Sequence, residues 1–166
     1  MAYTVIVLDD HVRSGQATQA IVSLWDADAD VAVTRTVDDA WKELTKATDV
    51  AYVIVDLLLE ADAKQGKEFV LEMLGSKVYS SIPILILSAY PLMIKDLARA
   101  RNTLQQDKEI RKRLKETSQV SIIMRTDNLQ AMREALQVFI RSAHETRQQR
   151  VAAMAPERGA ALVGIG

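Results

Sequence analysis

Three runs in this chain are continuously apolar and rich in β-branched residues: VIVL at Val5–Leu8, YVIV at Tyr52–Val55 and ILIL at Ile84–Leu87. A strand with one wet face alternates apolar and polar side chains. An unbroken run therefore belongs to a strand covered on both faces, as at the centre of a parallel sheet flanked by helices. Taking the first strand from Tyr3 to Leu8 and the third from Ala51 to Val55, and adding Val31 to Thr34 and Val120 to Met124, gives five strand candidates.

Amphipathic stretches lie between them. Residues 14–25 place Ala17, Ile21, Leu24 and Trp25 on one side of a helix. Residues 39–46 follow Asp38 as a candidate N-cap, with Val37 and Trp41 spaced as a hydrophobic staple. A third helix over Lys67 to Leu74 buries Phe69, Val70, Met73 and Leu74. The last begins near Asp127, whose spacing to Gln130 reads as a capping box, and carries Leu129, Met132, Leu136, Phe139, Ile140 and Ala143 at helical spacing. Residues 91–117 read as an extended fourth helix, with Leu97, Leu104 and Leu114 sparse among charges. The order is (βα)5. Right-handed crossovers then predict an α/β, doubly wound, five-stranded parallel sheet, whose ligands bind at the carboxyl ends of the strands.

Composition narrows the function classes. At 166 residues the chain is expected to be one domain with its own core. Its 49% apolar and 26% charged residues argue against both disorder and a membrane protein. No apolar run approaches the roughly 20 residues that span a bilayer, and no basic region precedes the first apolar stretch, so a cytoplasmic protein is expected. Cysteine is absent, which excludes disulfides and thiolate metal sites and leaves a metal only oxygen ligands, His11 or His144. The net charge of −1 conceals a segregation: residues 1–90 carry 7 Lys/Arg against 14 Asp/Glu, whereas residues 91–117 carry 8 against 4. The basic segment is interleaved with acids and has no aromatic residues, so it reads as a solvated face or a protein contact, and nucleic acid is not an expected partner.

The predicted strands end in residues with chemistry. The first runs into Asp9 and Asp10, the third into Asp56, the fourth into Ser88, and the fifth into Arg125 and Thr126. Adjacent carboxylates at a strand end are either solvated turn residues or ligands for something positive. Three carboxylates, a hydroxyl and a cation on one rim suit a hard cation such as Mg²⁺ and, beside it, a phosphoryl group. His11 reads as a loop residue, His144 as a surface residue on the last helix, and Trp25 and Trp41 as core.

These motifs, LDDH after the first strand, the lone Asp56 after the third, Ser88–Ala89 after the fourth and a basic residue after the fifth, resemble the receiver domains of two-component response regulators, chemotaxis regulators among them. The resemblance covers residues 3 to about 148. It implies a flavodoxin-like fold and a signalling switch rather than an enzyme. It also implies that Asp56 accepts a phosphoryl group from a histidine kinase or phosphotransfer protein. Asp10, Asp56 and the backbone carbonyl of Leu58 would hold Mg²⁺, with Asp9 acting through water, while Ser88 and Arg125 would contact the phosphoryl group. Output would pass through a downstream protein target. The charge segregation, a basic 91–117 segment facing an acidic remainder, adds the expectation of a homodimer through the last helix and its neighbours.

The sequence departs from the family at stated places. Arg125 and Thr126 stand where the family has Lys and Pro, and Ile122 stands where many members carry an aromatic residue. Gly66 comes late in a loop whose Leu57–Leu59 run suggests a partner surface, and Ser88 and Arg125 lie 37 residues apart, farther than usual. The alternatives are a phosphorylation-independent pseudo-receiver scaffold and a Mg²⁺-dependent phosphohydrolase using Asp9 or Asp56 as nucleophile. Residues 1–150 are thus expected to be the receiver domain. Residues 151–166, VAAMAPERGAALVGIG, read as a flexible or strap-like tail, too short to be an output domain.

Overall fold

The structure is a computed structural model that describes residues 2–56, 63–88, 120–124 and 129–165. The elements follow in the order β1 (Tyr3–Leu8), α1 (Val12–Trp25), β2 (Ala29–Thr34), α2 (Val37–Lys46), β3 (Val50–Asp56), α3 (Ala63–Gly75), β4 (Ile84–Ser88), β5 (Val120–Met124) and α4 (Leu129–Ile165). The strands form one sheet, all parallel, in the order β2-β1-β3-β4-β5. The doubly wound α/β expectation is met. The extended fourth helix expected over 91–117 lies outside the described residues.

Alternation along the strands splits the core in two, because successive side chains point to opposite faces of a sheet. Ile6, Leu8, Val53, Val55, Ile84 and Ile86 meet Ala40 and Leu44 of α2 and Phe69, Val70, Met73 and Leu74 of α3. Val5, Val7, Tyr52, Ile54, Leu85 and Leu87 meet Val22 of α1 and Leu136, Phe139, Ile140 and Ala143 of α4. Every residue of β3 is buried, as its unbroken apolar run requires.

The buried faces of α3 and α4 are those the periodicity gives, but that of α1 is not. Leu24 is 68% and Trp25 40% exposed, Ala17 is exposed too, and the buried positions are Gly15, Thr18 and Val22. Small residues let α1 lie close to the sheet: a Cβ on Gly15 would stand 3.0 Å from Val33 Cγ1 and 3.7 Å from Asp9 Cβ. Helix α2 also starts earlier than its acidic residues suggest. Thr36 is its N-cap, and its side chain accepts a hydrogen bond from the Asp39 N–H at 3.1 Å. Trp41 packs edge-on to Phe69 and Tyr79, half-buried as a core-flanking residue.

At the C-terminus the backbone of α4 stays helical through residues 151–165, where the sequence reads as a flexible tail. At about 1.5 Å per residue its 37 residues span roughly 55 Å, far longer than a strand of this sheet. Among the described residues no helix is long and apolar enough to cross a membrane.

Candidate functional site

In a parallel sheet of this order the direction of winding reverses between β1 and β3, and the crevice outside their carboxyl ends is the usual ligand position. Register brings the acidic residues there. Leu8 pairs with Val55, so Asp9 follows β1 beside Asp56, the last residue of β3, and Asp56 pairs with Leu87 one residue before Ser88. Ser88 in turn pairs with Met124, which precedes Arg125. The backbone thus carries Asp9, Asp10, Asp56 and Ser88 to one edge. Arg125, Thr126 and Leu58 lie outside the described residues, as do Asp127 and the Leu57–Leu59 run.

Burial differs among the acids. Asp9 is 1% and Asp56 5% exposed, while Asp10 is half-buried. Asp9 is fixed at both ends: its N–H donates to the Thr34 carbonyl at 2.9 Å, and its Oδ1 accepts from the His11 N–H at 2.9 Å. The second bond turns the chain from β1 into α1 and aims the Asp9 side chain. Thr34 adds a brace, its hydroxyl donating to the Val7 carbonyl at 2.8 Å. His11 is exposed, with Nε2 3.9 Å from Asp10 Oδ1, and an Arg35 nitrogen lies 3.4 Å from the Asp10 carbonyl.

Carboxylate oxygens buried at a strand edge are the donor chemistry of a hard divalent cation. Among the described residues no group of three or more His, Asp or Glu is placed to hold a metal ion. What Asp9, Asp10 and Asp56 can do chemically is present negative oxygen to a cation, with Asp56 as a carboxylate nucleophile on the central strand.

The opposite, amino edge of the sheet holds a polar cluster that the sequence reading missed. Asp26, the C-cap of α1, is 6% exposed; its Oδ1 accepts from the Tyr3 hydroxyl and its Oδ2 from the Tyr52 hydroxyl at 2.9 Å. His144 Nε2 lies 2.8 Å from the same Oδ2, which corrects its assignment as a surface residue: it is half-buried and edge-on to Tyr3 at 4.9 Å. Burial first, and the Asp26 carboxylate second, push the hydroxyls of Tyr3 and Tyr52 well above the ordinary tyrosine range, so both stay protonated donors. One and two turns further along α4, Arg147 grips Asp49 through two nitrogens, the shortest contact 2.6 Å, and Arg150 donates to the Val50 carbonyl at 3.2 Å. The Arg147 guanidinium also sits 4.7 Å over the Tyr3 ring, and the bond to Asp49 raises its already high pKa. Positions 144, 147 and 150 recur at helical spacing, a signal open to a reader who asks what a polar stripe on a core helix touches.

Comparison with known proteins bears on the fold. No family model matches the sequence, and no curated protein does. Solved structures do. A response regulator receiver domain protein from Clostridium thermocellum superposes with a TM-score of 0.62 at 14% identity, over 90% of this chain and 98% of that one. The chemotaxis response regulator CheY4 of Vibrio cholerae gives 0.55 at 19%, over 84% and 99%. The Mn²⁺-bound form of response regulator Rcp1 gives 0.55 at 14%, over 81% and 89%. The fold is that of a response-regulator receiver domain. At these identities the likeness is one of receiver architecture, and the chemistry rests on the residues of this chain.

Proposed function

We propose that this receiver domain is a phosphorylation switch in which Asp56 is the phosphoacceptor. The observation that carries the reading is the position of Asp56: a buried carboxylate ending the central, fully buried strand, at the topological switch point and beside Asp9. In the proposed step an Asp56 carboxylate oxygen attacks the phosphorus of a histidine kinase's phosphohistidine. A P–O bond forms as the P–N bond breaks, and the leaving imidazole takes up a proton. Asp10, Asp56 and the Leu58 carbonyl would hold Mg²⁺, with Asp9 acting through water; Mg²⁺ would neutralise the carboxylates and shield the incoming phosphoryl charge. Ser88 and Arg125 would bind the remaining phosphoryl oxygens, Arg125 as a planar fork where the family has an ammonium. Output would be a population shift read by a downstream protein, without turnover of a substrate, in the cytoplasm.

The test is phosphoryl transfer from acetyl phosphate in Mg²⁺, read by intact mass, with Asp56→Asn alongside. A gain of one phosphoryl group that the variant loses is the expected result. A gain that persists in Asp56→Asn sinks the assignment. The second reading, a phosphorylation-independent scaffold, is favoured by Arg125 and Thr126 in place of Lys and Pro. It is distinguished by a partner affinity that Asp56→Asn and phosphodonor both leave unchanged.

A further inference from the structure

Away from the carboxyl edge, the end of α1 and the middle of α4 border a cavity of about 350 Å³, lined by Trp25, Gln137, Ile140, Arg141, His144, Glu145 and Gln148. The α4 residues recur at intervals of three and four, so they share one side of that helix, and Trp25 is the wall contributed by α1. Small-molecule sites occupy roughly 300–1,000 Å³ and combine apolar surface with a few convergent polar groups. This cavity has both.

Its apolar part is Ile140, which is buried, and the Trp25 indole, which is 40% exposed and belongs to neither core cluster. An indole left half in water on a cavity wall offers a flat apolar face to a ligand. His144 is held in place, because Asp26 engages its Nε2 at 2.8 Å. Its Nδ1 has no hydrogen-bond partner among the described residues and is the ring nitrogen left to a ligand.

The charges identify the kind of ligand. Arg141 and Glu145 are exposed, and neither has an ion-pair or side-chain hydrogen-bond partner among the described residues, the other included. Basic before acidic is the weaker order for a pair one turn apart, and such residues hold their Cβ atoms about 5–6 Å from each other. A ligand with one charge would meet one opposite and one like charge here. A zwitterion meets two opposite charges. A free amino acid carries both on one carbon, whereas a peptide separates them to the ends of its chain.

We propose that this cavity binds a free amino acid with an apolar or aromatic side chain. Its carboxylate pairs with Arg141, its ammonium with Glu145, and its side chain packs on Trp25 and Ile140. Gln137, Gln148 and His144 Nδ1 supply further hydrogen bonds. The proposal is independent of phosphoryl transfer.

Proton–nitrogen correlation NMR of the full chain tests it. The chain has two tryptophans, so Trp25→Phe assigns the Trp25 indole N–H. L-phenylalanine and L-leucine, titrated to about 20 mM to reach millimolar affinities, are expected to move that signal saturably. The signal of Trp41, which packs on the opposite face of the sheet, should stay in place. Two analogues dissect the charges: 3-phenylpropionate lacks the ammonium and phenethylamine lacks the carboxylate. Each should bind at least about threefold more weakly than phenylalanine, as should phenylalanine to Arg141→Gln and to Glu145→Gln. Both substitutions are at exposed positions, and the remaining signals report the fold. No saturable movement with either amino acid overturns the proposal. So do one-charge analogues that bind as tightly as phenylalanine, or two Gln variants that bind it unchanged.

Discussion

Asp26 and Asp56 are the same residue type, 6% and 5% exposed, at opposite ends of one sheet. Asp26 is ringed by donors from within the chain: two tyrosine hydroxyls and an imidazole. Asp56 shares its edge with two more acids, Asp9 and Asp10, in the half of the sequence that carries the negative excess. A buried charge is tolerable where the fold itself supplies its partners, and costly where like charges gather. The first arrangement is a closed network of donors around one acceptor; the second gathers like charge, which a cation, if bound as proposed, would relieve.

The largest test of that contrast is a pair of substitutions. Asp26→Asn keeps the shape but turns one acceptor into a donor facing Tyr3, Tyr52 or His144, and should cost about 3 kcal/mol in urea unfolding. Asp56→Asn removes one of several clustered charges and should leave stability within about 1 kcal/mol of wild type, with any change toward greater stability. Equal losses at the two positions would erase the distinction.

High pH probes the amino edge alone. The folded state holds the Tyr3 and Tyr52 protons, through burial and the Asp26 carboxylate, well past the point at which the unfolded chain releases them. Stability from these groups is therefore complete below the unfolded tyrosine pKa of about 10 and falls above it, by about 1.4 kcal/mol per pH unit for each tyrosine. Denaturation midpoints measured from pH 9 to 11.5 should bend downward near pH 10. Two of the four tyrosines should ionise, by absorbance at 295 nm, only as the protein unfolds. Tyrosinate appearing in the folded state at both positions would contradict the geometry.

Magnesium probes the carboxyl edge alone. A cation bound by the native state at ten times its dissociation constant raises stability by about 1.4 kcal/mol. The gain should vanish in Asp9→Asn and Asp56→Asn. It should persist in Arg147→Ala, which lies at the far edge. A Mg²⁺ effect that ignores Asp9 and Asp56 would place the cation elsewhere.

The two edges were unequally legible in the sequence for a physical reason. Asp9 and Asp56 each terminate a continuous apolar run, so strand pattern and acid stand side by side in the chain. Asp26 takes its partners from positions 3, 52 and 144, and only the folded sheet and α4 bring them together. His144 read as a surface residue on the last helix, whereas its ring turns inward to Asp26, a partner 118 residues away in the chain. The same blindness affected α1. Hydrophobic size chose Leu24 and Trp25 as its inner face, whereas close packing chose Gly15 and Thr18, which only the distance to Val33 reveals.

The smallest expected effect separates charge from packing at the amino edge. Arg147 pairs bidentately with Asp49, but both side chains keep solvent contact, at 20% and 36% exposure, so screening limits the pair. The guanidinium also covers the Tyr3 ring at 4.7 Å, a contact that depends less on salt. Arg147→Ala should therefore cost about 1 kcal/mol at low ionic strength. In 1 M NaCl, where the screening length falls to about 3 Å, part of that cost should disappear while the share due to lost cover over Tyr3 remains. A loss that vanishes entirely in salt would assign Arg147 to the ion pair alone, and Tyr3 would then owe its burial to His144 and Asp26.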